Sequence, residues 1–168
     1  MKTLYALLLL AVLACPARVH AAAPACTVST NGLAFGSYDP TSAAPLNTSG
    51  SISFNCTYTG TGFTATLTIG AGNSGNYNAR TLTSGTQTLP YNIYVNAADT
   101  EIFGGGTGTG SSGTWYYYLC YAGGGVTCAN GSGQSGATYI APMYGQILAG
   151  QDVKAGTYTD TILVTLTY

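Results

Sequence analysis

Apolar and polar residues alternate along most of this chain. In the stretch SISFNCTY, Ile52, Phe54, Cys56 and Tyr58 fall on one side of a period-two pattern, while Ser, Asn and Thr dominate the other. Such alternation is the mark of a half-buried strand. Phe63, Ala65, Leu67 and Ile69 repeat it in FTATLTI, and Leu89, Tyr91, Ile93 and Val95 repeat it in LPYNIYV. The C-terminus carries it most cleanly, with Ile162, Val164, Leu166 and Tyr168 set against Leu163, Thr165 and Thr167, and predicts one long strand over residues 157–168. Further strands are expected around residues 26–28, 33–35, 114–121 and 138–148. No segment combines a helical period with capping residues. The fold class is therefore all-β, a β-sandwich joined by turns rich in Gly, Asn and Ser.

The N-terminus departs from this rhythm. Lys2 precedes an unbroken apolar run over residues 4–14, followed by a polar stretch with Arg18 and His20 and then by Ala21-Ala22-Ala23. This order reads as a secretory signal peptide, residues 1–21, with an apolar core too short for a stable membrane span. Val19 and Ala21 are the small residues that favour cleavage after Ala21, to within a few residues. Val12-Leu13-Ala14-Cys15 offers an alternative lipoprotein box, in which Leu13 is bulky for its place. A single domain, residues 22–168, follows, with no transmembrane segment expected in the mature chain.

Composition narrows the function classes. Only 5% of residues are charged and Lys plus Arg total 4, so the clustered cations of a nucleic-acid surface are missing. With the signal go Cys15 and the sole histidine, His20, which removes the base of a Ser-His or Cys-His catalytic pair. Asp99 and Glu101 would share a strand face as paired carboxylates, but their setting, NAADTE, reads as a solvated turn. Asp152, Lys154 and Asp160 read as turn and strand-edge charges, and Arg80 as part of a polar, turn-like stretch. No enzyme activity, metal or cofactor is expected. The four remaining cysteines, Cys26, Cys56, Cys120 and Cys128, form an even set for an oxidising compartment. Of their three pairings, Cys26 with Cys56 joins two predicted strands and Cys120 with Cys128 closes a short Gly-rich turn; this combination is favoured.

Two glycine-rich stretches, residues 104–113 and 123–136, flank the aromatic block of Trp115, Tyr116, Tyr117, Tyr118 and Tyr121. Consecutive aromatics do not suit a strand with one wet face. Either both faces are covered, or part of the block is an adhesive surface. The second option defines an alternative function, a secreted adhesin or carbohydrate-binding module that uses these five residues.

The stretches Ala25-Cys26-Thr27-Val28-Ser29 and Leu33-Ala34-Phe35-Gly36-Ser37-Tyr38-Asp39-Pro40, the middle Tyr91-Asn92-Ile93-Tyr94, and the ending from Tyr144-Gly145-Gln146-Ile147 through Gly156-Thr157-Tyr158-Thr159-Asp160 to Tyr168 resemble the spore coat protein U domain family. That family includes secreted pilin subunits of the archaic chaperone–usher class. The resemblance covers essentially the whole mature chain and is weakest over residues 105–136. It implies an immunoglobulin-like β-sandwich that lacks its last strand. A groove beside the C-terminal strand would be filled first by a periplasmic chaperone and then, at an outer-membrane usher, by an extended segment of another pilin or coat subunit. Ile162, Val164, Leu166 and Tyr168 would lie along this partner-strand groove, with the Tyr168 carboxylate held by chaperone cations. The protein would be exported to the periplasm and then displayed on the cell surface, in a pilus or coat. Polymerising pilins carry a donor strand ahead of the first cysteine, whereas here Ala22 to Ala25 stand between the expected cleavage site and Cys26, which implies a tip or acceptor-only subunit.

Overall fold

The computed structural model describes residues 23–58, 62–105, 113, 115–119 and 135–168. The expected signal segment, Cys120, Tyr121, Cys128 and most of the two glycine-rich stretches lie outside the described residues. Among the described residues eight strands form, in chain order: β1 (Ala25–Thr30), β2 (Leu46–Thr57), β3 (Phe63–Ile69), β4 (Arg80–Ser84), β5 (Gln87–Tyr94), β6 (Trp115–Leu119), β7 (Thr138–Ile147) and β8 (Val164–Thr167). They build two antiparallel sheets, one ordered β1-β2-β7-β5-β4 and the other β6-β3-β8. The described residues contain no α-helix, only two short 3₁₀ turns at Gly72–Ser74 and Tyr77–Ala79. The molecule is an immunoglobulin-like β-sandwich.

The alternation of the sequence becomes the inner faces of the two sheets. Ile52, Phe54 and Cys56 on β2, Ala65, Leu67 and Ile69 on β3, Leu89 and Ile93 on β5, and Ala141, Met143 and Ile147 on β7 are all buried. The main core gathers ten buried residues around Leu67, Ile93 and Phe103, while Phe54, Cys56, Tyr58 and Ala65 form a smaller cluster at one end. Cys26 lies directly opposite Cys56 in the β1–β2 ladder, and the two are joined by a disulfide.

Three expectations are corrected. Residues 33–35 are not a strand. Left-handed backbone at Gly32 and Gly36 brackets them, so this short run cannot enter a ladder; Leu33 and Phe35 nevertheless pack on the core. Gly145 on β7 makes room for them, since a Cβ there would meet the Phe35 ring at 2.8 Å. The C-terminal strand is shorter than its alternation suggests. Thr159 bridges to Thr83 of β4 in the first sheet, whereas Val164 pairs with Ile69 of β3 in the second. The chain crosses between sheets over residues 160–163, and no single ladder can follow it.

The third correction concerns Arg80, which opens a strand instead of lying in a turn and is 0% exposed. Its Nη1 donates to Asn92 Oδ1 at 2.8 Å, and its Nη2 donates to the carbonyls of Gly70 and Phe103 at 2.9 and 2.7 Å. The Tyr77 ring lies 5.1 Å from the guanidinium carbon. β4 itself is a hairpin partner of β5, with Ser84 opposite Gln87 across a two-residue loop.

Candidate functional site

The two sheets are unequal, and the deficit leaves a cleft. β8 is an edge strand of the three-stranded sheet and β1 is an edge strand of the five-stranded one. Val28, on the same inward-facing side of β1 as Cys26, is 44% exposed, as expected where a facing sheet stops short. A cleft of about 850 Å³ reaches these edge strands at Thr30 and Val164. One bank is the segment from Gly32 to Tyr38, which contributes Leu33 and Phe35; the other is the chain from Val153 to Val164. The floor is apolar core, including Leu89, Tyr91, Ile93 and Met143. Phe35 meets Tyr91 edge to face, with ring centroids 5.8 Å apart.

The predicted groove residues divide here. Ile162 and Val164 line the cleft. Leu166 lies beyond the lining, opposite Leu67 on β3, and packs against both core clusters. Tyr168 is 52% exposed and its ring is 6.2 Å from Phe63. Ile162 and Val164 belong to one bank, while Leu33 and Phe35 on the other bank are not among the predicted groove residues. Leu33 and Phe35 had the signal, two apolar residues spaced by two, but the alternation does not reveal which wall they build.

Polar groups in the cleft are few and mostly engaged. The Asp160 carboxylate accepts from the Tyr91 hydroxyl at 2.8 Å and from the amides of Asn73 and Thr161 at 2.9 and 2.7 Å. Burial, reinforced by the bond to Asp160, pushes the Tyr91 phenol above the ordinary tyrosine range. Burial pulls the Arg80 guanidinium down from its usual value, against the opposing pull of Tyr91, Tyr77 and Asp160. The Tyr38 hydroxyl donates to the Leu148 carbonyl and accepts from the Gln151 amide, so it ties the first bank to the chain that follows β7. At the rim, the Tyr158 hydroxyl donates to the Lys154 carbonyl. A mostly apolar trough whose central polar groups, Asp160, Tyr91 and Tyr38, are already hydrogen-bonded to the protein is suited to receiving aliphatic side chains from an extended segment.

The remaining candidates fall elsewhere. Among the described residues no group of His, Cys, Asp and Glu could hold a metal ion. Asp99 and Glu101 sit in a turn, where Asp99 takes a positive φ of 52° and accepts from Gln146 Nε2, and the Glu101 carbonyl accepts from the Val95 amide. Of the aromatic block, Trp115, Tyr116, Tyr117 and Tyr118 form β6, which pairs with β3 at the edge of the smaller sheet. Tyr121 and the Cys120–Cys128 pairing lie outside the described residues.

Comparison with known proteins agrees with this architecture. The model of the spore coat protein U domain matches residues 12–165. Among solved structures, the fold resembles a chain of the chaperone–tip adhesion subunit pre-assembly complex of the archaic chaperone–usher Csu pili of Acinetobacter baumannii, with a TM-score of 0.51 and 21% identity. The alignment covers 87% of this chain and 40% of that one, so this chain spans two fifths of its length. At that identity the likeness is one of fold. No curated protein matches.

Proposed function

Because the chain belongs to the spore coat protein U domain family, we propose that it is a non-enzymatic structural subunit of a bacterial surface pilus or coat, assembled by donation of a strand into its cleft. The observation that carries this reading is the 850 Å³, mostly apolar cleft that reaches Val164, the first residue of the edge strand β8. An edge strand with an uncovered apolar flank is an aggregation hazard unless paired. An inserted segment would extend the sheet through backbone hydrogen bonds and drop alternate side chains onto the floor. A periplasmic chaperone would protect the cleft first, and a segment of another subunit would replace it at an outer-membrane usher. The signal segment over residues 1–21 supports the route through the periplasm to the cell surface. The short stretch from Ala22 to Ala25 between the expected cleavage site and Cys26, where polymerising pilins carry a donor strand, favours a tip or acceptor-only place in the fibre.

The test is capture in the periplasm. Ile162→Asp and Val164→Asp each put a charge into the apolar trough, where it would be unpaired, and should abolish co-purification of a chaperone and lower the soluble level. Ile140→Asp is the control, since Ile140 is 62% exposed on β7 and the change leaves the cleft intact. Equal recovery of chaperone with all three variants would exclude this cleft as the capture site.

A further inference from the structure

One side chain ties the wall of the cleft to its floor. Thr159 exchanges two backbone hydrogen bonds with Thr83 of β4, at 2.8 and 3.0 Å, and the next ladder contact is Val164 opposite Ile69. Between them the chain crosses from one sheet to the other, its backbone supported by the Gly70 amide donating to the Leu163 carbonyl. Asp160 sits at the start of this crossing. Its Oδ1 accepts from the Asn73 and Thr161 amides, and its Oδ2 accepts from the Tyr91 hydroxyl. One carboxylate thus joins three parts of the fold: the turn after β3, the floor strand β5 and the wall. Gly72 is shaped to admit it, with a φ of +71° and a missing Cβ that would otherwise collide with the carboxylate. On the floor, Tyr91 carries the connection to Phe35 on the opposite bank.

We infer that Asp160 is a positioning residue that holds the cleft in its receptive shape before a guest strand arrives. The inference rests on the reading of the cleft as a strand acceptor. The Asn73 and Thr161 amides can only donate and the Tyr91 hydroxyl donates to the other oxygen, so one carboxylate serves all three, whereas alanine would keep none of these bonds. Without the tie, residues 160–163 would rearrange over the apolar floor. A guest would then have to reorder the wall as it bound, which slows association. Once a guest is seated, its own backbone bonds hold the wall and Asp160 adds little to retention. The signature is therefore an effect on association without one on dissociation, which a general loss of stability would not produce.

The test uses the disulfide-intact domain and a synthetic peptide of alternating valine and threonine flanked by lysines, with binding followed in real time. Asp160→Ala should slow association about tenfold, equivalent to about 1.4 kcal/mol, and leave dissociation within about twofold. Tyr91→Phe keeps the floor ring, loses one bond to the carboxylate and should show a smaller change of the same kind. Unchanged association in Asp160→Ala, or a loss expressed in dissociation, would overturn the inference. Hydrogen exchange in the empty domain separates this failure from failure of the acceptor reading. If the wild-type domain captures no peptide, the acceptor reading fails. The tie still stands if the Gly70 amide, which donates to the Leu163 carbonyl, loses protection in Asp160→Ala while the amides of β2 and β7 keep theirs, and falls if its protection is unchanged.

Discussion

Replacing Arg80 tests whether a cation buried among backbone carbonyls organises this sandwich. Arg80→Ala removes three hydrogen bonds of 2.7–2.9 Å and strands the carbonyls of Gly70 and Phe103 in a dry interior. Each charge-assisted bond contributes about 1.5–3 kcal/mol, and each buried acceptor left unpaired costs about 1–3 kcal/mol. These terms overlap and do not add. Against them stands the relief of no longer burying a cation whose Nε has no hydrogen-bond partner, a desolvation cost of several kcal/mol. The net destabilisation expected for Arg80→Ala is about 3–5 kcal/mol, with Arg80→Met nearer 2–3 kcal/mol because it fills the volume yet leaves the acceptors unpaired. Urea unfolding of the disulfide-intact domain measures this directly. At a slope of about 1–2 kcal/mol per molar urea, the midpoint for Arg80→Ala should fall by roughly 2 M or more. A change below about 0.5 kcal/mol, the size normal for a surface position, would refute the reasoning and return Arg80 to an exposed turn.

Three further outcomes follow from the same geometry. Gly145→Leu should displace the Leu33–Phe35 bank, because even a Cβ would meet the Phe35 ring at 2.8 Å; thermal unfolding should report a loss of about 1–3 kcal/mol. Burial raises the Tyr91 phenol pKa, so its stabilising contribution is complete below the unfolded value of about 10 and is lost as pH rises through the folded value. In an ultraviolet titration Tyr91→Phe should subtract from the late-ionising amplitude only; subtraction from the ordinary range would contradict this. Cys26 and Cys56 close a sequence separation of 30 residues, and replacing both with Ala should cost about 2–5 kcal/mol. Peptide mapping without reductant should recover that pair together with Cys120–Cys128, and Cys26 linked to Cys120 would refute the pairing.

Strands with one dry face were legible because burial writes a period of two directly into the residues, as at Ile52, Phe54 and Cys56 or Ala65, Leu67 and Ile69. β4 was hidden because its inward face pairs Leu82 with an arginine, Arg80. What makes that arginine a core residue is a cradle built from Gly70, Asn92 and Phe103, 10 to 23 positions away, and no local pattern encodes such a cradle. The cleft was half legible for a similar reason. Ile162 and Val164 announce an apolar face, but which bank stands opposite them is a tertiary fact. The overlong C-terminal strand has the reverse cause: alternation records which side of the chain is dry, and it persists unbroken while the chain passes from one sheet to the other.

The central claim is that the cleft receives an extended segment of a partner. A photo-crosslinking amino acid placed at Phe35, on one bank, and separately at Ile162, on the other, tests it in cells exporting the protein to the periplasm. Both positions should trap the same partner chains through one contiguous extended stretch, while a probe at Ile140 on β7 should not. If Phe35 and Ile162 crosslink only within the chain, or if Ile140 traps the same stretch as efficiently, the cleft is not the assembly site.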